Sequence, residues 1–138
     1  MKAKHFRVEE FVPESLYKVR GEKCWELIDD RLVKTADQLK EKFPEGSMTI
    51  NNWVWDGNRM WSGLRTAESR WYSPTSQHSF GRAFDAVFSD YDEAEVRRYV
   101  IEHPEEFPYV RGVEDFAGMG WVHVDVRNTK HVKVFGKA

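Results

Sequence analysis

Trp121-Val122-His123-Val124-Asp125-Val126-Arg127 is the stretch from which the fold class of this chain is read. Valine alternating with larger, mostly polar residues is the period of a strand. It places Val122, Val124 and Val126 on one face and Trp121, His123, Asp125 and Arg127 on the other. The valine face belongs to a core. The opposite face is too polar for a core and too particular in composition for casual solvent exposure.

The pattern extends in both directions from that strand. Val110 to Glu114 reads as a strand joined to it by a Gly-containing turn, a hairpin. Arg82 to Phe88 reads as another strand and Val132 to Phe135 as one more. Asp92 is placed to cap a helix over Glu93 to His103, with Glu95 set for a capping box and Pro104 just beyond its end. Toward the start, Trp25, Ile28, Leu32, Ala36, Leu39 and Phe43 recur every three or four residues, so Glu22 to Phe43 reads as one amphipathic helix ended by Pro44 and Gly46. Pro13 to Arg20 reads as a shorter helix stopped by Gly21. Met48 to Trp55 is β-like and runs into a polar segment, Asp56 to His78, too long for an idle connection. Helices first and hairpin-linked strands later predict an α+β fold, with helices packed on a small antiparallel sheet in one domain over residues 1–138.

Composition narrows the partners. The chain has 138 residues, enough for one core without staples. With 21 Lys and Arg against 23 Asp and Glu it carries no basic field, so nucleic acid is not an expected partner. No apolar run reaches the length of a membrane span, and no apolar stretch follows the charged start as a secretory signal would. A single cysteine, Cys24, excludes an intramolecular disulfide and a cysteine-built zinc site.

Polar residues on strand faces carry the chemistry. Asp85 shares a face with Ala83 and Val87, where a lone carboxylate needs a partner. His78 lies seven residues earlier, across Gly81. If the two strands are neighbours, His78, Asp85 and His123 converge. Two imidazoles and one carboxylate leave a tetrahedral metal with an open position, the pattern of catalytic zinc. Spacing alone also fits an ordinary arrangement, with Asp85 paired to Arg82 or Arg127 and the histidines structural.

The segment Ser76-Gln77-His78-Ser79-Phe80-Gly81-Arg82-Ala83-Phe84-Asp85 resembles the Ser-x-His-x-x-Gly-x-Ala-x-Asp signature of the M15 peptidases. These are zinc D-alanyl-D-alanine carboxypeptidases and peptidoglycan endopeptidases that share a fold with the hedgehog signalling domain. Trp121 and His123 match the later Trp-x-His element, and Ser62-Gly63-Leu64-Arg65 resembles the Ser-Gly-x-Arg element. The start of the chain and Asn51-Asn52-Trp53 are similar, more loosely, to small phage-encoded members. The resemblance implies that His78, Asp85 and His123 bind one Zn²⁺, which would polarise a scissile carbonyl and acidify water. It implies that Arg65 grips a substrate carboxylate, as a planar fork can. Ser76 either binds substrate or braces its loop.

One position departs from the pattern. Many members carry the catalytic acid three residues before the last histidine, where this chain has Gly120. Glu114, across the hairpin, is the preferred replacement as general base, with Asp115 second. Asp125 either orients His123 or Arg127 or forms a plain cross-strand ion pair. Trp53, Trp55, Trp61, Trp71 and Trp121 either line a cleft or, for the most part, fill the core.

The implied activity is zinc-dependent hydrolysis of stem peptides in peptidoglycan, by a monomer made in the cytoplasm that reaches the wall after lysis or by phage delivery. The competing reading, from another class, is a metal-bearing wall or virion module without turnover.

Overall fold

Val122, Val124 and Val126 are fully buried, and the strand they define lies inside the sheet. The computed structural model describes residues 1–136. Among these, the helices are α1 (Glu14–Arg20), α2 (Asp30–Lys42) and α3 (Glu93–Glu102). The strands are β1 (Met48–Thr49), β2 (Ala83–Phe88), β3 (Gly112–Glu114), β4 (Val122–Asp125) and β5 (Lys133–Phe135), in the order β1-β2-β4-β3-β5. The fold is α+β. Phe84, Ala86, Val113 and the three valines form the apolar side of the sheet and join one core with Leu32, Val33, Ala36 and Leu39 of α2 and Val96 and Val100 of α3.

The expected antiparallel sheet is in fact mixed: β5 runs parallel to β3. β3 already fills the place beside β4 in the hairpin. The connection 126–132 therefore carries the chain to the far edge of β3, where the returning strand must run in its direction.

The expected helix over Glu22 to Phe43 is two pieces. A 3-10 helix, Gly21–Leu27, precedes α2, and between them Ile28 is extended. Asp29 donates its N–H to the Gly81 carbonyl at 3.0 Å, and its side chain caps α2 by accepting the Arg31 N–H at 2.9 Å. Both pieces bury the same stripe, so periodicity reports the face and misses the break. Of the β-like stretch Met48 to Trp55, only Met48–Thr49 pairs, with Phe88 and Val87; Trp53–Trp55 is a 3-10 turn. Asp92 caps α3 at Ala94, while Glu93, rather than Glu95, reaches back to accept the Phe88 N–H.

Two features position the site. Cross-strand register pairs Asp85 of β2 and Glu114 of β3 with His123 of β4, so the three stand in one row across the sheet. Directly paired residues project from the same face. The long segment after β1 is tied to the chain's start. The Glu10 carbonyl accepts the Asn51 N–H, the Phe11 carbonyl accepts the Leu64 N–H, and the Val12 carbonyl accepts from the Asn51 amide and the Trp53 indole. The Asn51 side-chain oxygen accepts the Ser62 N–H at 2.9 Å. Among the described residues no helix is long and apolar enough to cross a membrane.

Candidate metal centre

His78, Asp85 and His123 each offer a ligand atom, all within 4.8 Å of one another; among the described residues this is the one such group of His, Cys, Asp and Glu. His78 sits in the 3-10 helix Gln77–Phe80, where the Ser76 hydroxyl accepts its backbone N–H. Its Nδ1 lies 2.9 Å from the Gly63 carbonyl, an acceptor only, so Nδ1 carries the proton and Nε2 presents its lone pair to the site. Gly63 is needed there because a Cβ would run into the Phe11 carbonyl oxygen.

His123 is oriented the opposite way. Its Nε2 lies 2.9 Å from Asp125 Oδ2, and its Nδ1 lies 3.0 Å from Asp85 Oδ1. Asp125 is fully buried and held by the Arg127 fork, at 2.7 Å to Nε and 2.6 Å to Nη2. Asp125 thus orients the imidazole and pairs with Arg127 at once. A carboxylate that fixes the far nitrogen of a ligating histidine is what metal sites place behind their ligands.

Asp85 Oδ1 is also 3.4 Å from His78 Nε2, so one carboxylate oxygen faces both imidazoles. Burial pushes the Asp85 carboxyl up, but the His123 and His78 imidazoles against it outweigh this and hold the group well below the usual range. Burial pushes His123 down, yet its bonds to Asp125 and Asp85 raise it to about 9. Asp125 is held near 2: burial opposes ionisation, and Arg127 and then His123 overcome it. The site favours positive charge between anionic and neutral donors, and its donor set of two nitrogens and one oxygen fits Zn²⁺.

Glu114 Oε1 is 3.9 Å from His123 Nδ1, and the side chain is about one-third exposed. Asp115 turns away to Arg97, at 3.3 Å. At Gly120 a Cβ would meet nothing within 4 Å, so the backbone there stands in open space. The Arg65 side chain is already engaged, with Nε donating to the Trp61 carbonyl at 2.7 Å and Nη2 to Asp85 Oδ2 at 3.0 Å. The carboxylate it grips is the cluster's own. Ser76 braces the loop by capping His78.

These groups open onto a cavity of about 690 Å³. Trp61, Trp71 and Trp121 line it, while Trp53 and Trp55 lie elsewhere; none of the five is fully buried. Arg59 also lines the cavity, a residue that no motif marked. Its backbone is clasped by Asn52, whose side-chain oxygen accepts the Arg59 N–H while its own N–H donates to the Arg59 carbonyl. Comparison of the chain with protein-family models, curated proteins and solved structures finds no match.

Proposed function

We propose that this chain is a zinc-dependent peptidase acting on peptidoglycan stem peptides, of the D,D-carboxypeptidase or L-Ala–D-Glu endopeptidase type. The observation that carries the reading is the convergence of His78 Nε2, Asp85 Oδ1 and His123 Nδ1 on the wall of an open cavity, with Glu114 beside them in the same sheet row. When bound, zinc supplies Lewis-acid polarisation of the scissile carbonyl and lets water act as a nucleophile near neutral pH.

The chain's own residues do the rest. Glu114 Oε1 takes a proton from the attacking water and returns one to the leaving amine nitrogen as the C–N bond breaks. Asp125 keeps His123 in the tautomer that presents Nδ1, and Gly63 does the same for His78 Nε2. Arg65 holds Asp85 in place. Trp61, Trp71 and Trp121 offer apolar surface to the substrate along the cavity wall.

Zinc content and product release from purified peptidoglycan test this together. Wild type should hold one zinc per chain and release stem-peptide fragments. Glu114→Ala should keep the metal and lose about 10²- to 10⁴-fold in rate. His123→Ala should lose both. Stoichiometric zinc with no release by wild type would move the reading to a metal-binding wall or virion module without turnover.

A further inference from the structure

Three guanidiniums reach the cavity, those of Arg59, Arg65 and Arg127, and they are not equivalent. Arg127 is committed to Asp125 through Nε and Nη2. Arg65 is committed to the Trp61 carbonyl and to Asp85. Arg59 donates Nε to the Ile50 carbonyl at 3.0 Å, and its terminal nitrogens have no acceptor among the described residues. Burial works against its charge, and the Asp85 carboxylate acts on it only from beyond ion-pair distance; a bound anion would offset the remaining desolvation.

The backbone that carries Arg59 is also held in advance, and the Nε bond to Ile50 sets the direction of the fork. Its backbone is bonded in both directions to Asn52, and Gly57 lies so close over the Asn52 side chain that a Cβ there would collide with it. A donor pair fixed before the ligand arrives loses little entropy when it binds.

We propose that Arg59 is the receptor for a carboxylate on the ligand of this cavity, and that Arg65 is a positioning residue for Asp85. The substrate is then a peptide with a free carboxylate near its scissile bond. This rests on the reading of the cavity as a peptidase site.

The probes are N-acetyl-D-alanyl-D-alanine and N-acetyl-L-alanyl-D-glutamate, each beside its amidated form. Binding is measured by calorimetry on zinc-loaded protein carrying Glu114→Ala, so the probes are not consumed. At least one carboxylate form should bind about tenfold or more tighter than its amide, the size expected of a charge-assisted pair. Arg59→Gln should bring that ratio close to one, and Arg59→Lys should keep part of it. Arg65→Gln should lower zinc affinity and leave the ratio in place. Equal binding of acid and amide, or a ratio that survives Arg59→Gln, would overturn the proposal. The peptidase reading fails on a separate result, the absence of any product from peptidoglycan with zinc-loaded wild type.

Discussion

Asp125 is the residue on which the site's orientation turns. Its carboxylate is fully buried, bonded to both Arg127 and His123, and it lies where a Cβ on Gly112 would collide with it. Asp125→Asn keeps the shape and loses the charge. It should weaken zinc binding by about 10- to 100-fold in a chelator competition titration, as loss of such supporting carboxylates does elsewhere; unchanged affinity would remove Asp125 from the metal's support. Glu10 gives a pH-dependent prediction far from the metal. Burial raises its carboxyl from 4.5 to about 7, against the opposing pull of Arg7. The folded state therefore holds this proton more tightly than the unfolded one, and the stability linked to it is present at low pH and lost as pH rises through about 7. Glu10→Gln should melt above wild type at pH 8 and level with it near pH 4, measured by calorimetric scans. At this scale the sequence reading reached the position of Glu114 across from His123, because a hairpin next to a histidine strand fixes which residue lies opposite. It gave no sign that Arg65 bonds Asp85, because a motif names a residue type and not the group beside it.

Elements explain where reading the sequence succeeds and where it stops. The helical stripe from Trp25 to Leu39 is buried as its spacing requires, but the break at Ile28 and Asp29 answers to a distant loop. Gly81 makes that meeting possible. It has φ +67°, and a Cβ would strike the Leu27 carbonyl oxygen. Gly81→Ala should destabilise the fold by about 2 kcal/mol or more, since the left-handed backbone alone costs roughly 1–2 kcal/mol for other residues. It should also lower zinc affinity, because His78 and Asp85 flank this turn. Urea melts with and without metal read both effects, and full stability in the alanine variant would contradict the assigned contact. The parallel placement of β5 had no local signal. Three residues of strand carry no record of which edge they will join.

At the scale of the whole molecule, the class of fold was legible because hydrophobic period is a local property. The cavity was not, since it is assembled from the segment 58–78 and three strands whose mutual approach only the folded chain decides. On the proposed reading, a site built from groups this far apart in sequence would bind metal in the folded state and scarcely at all in the unfolded one. Zinc at a hundredfold excess over its Kd should stabilise the protein by about 2.7 kcal/mol, raising Tm by roughly 5–15 °C. His123→Ala should show no such rise, and a shift of equal size in that variant would place the ion elsewhere.

The ties from Glu10, Phe11 and Val12 to Asn51, Trp53 and Leu64 have a practical corollary. The amino-terminal strap is a footing on which the His78 side of the proposed metal cage stands, though it adds no side chain to the cluster. Trimming the chain past Val12 should loosen the cage before it melts the sheet: the zinc-induced gain in Tm should shrink more than the metal-free Tm falls. If both drop in proportion, the strap is ordinary core and nothing more.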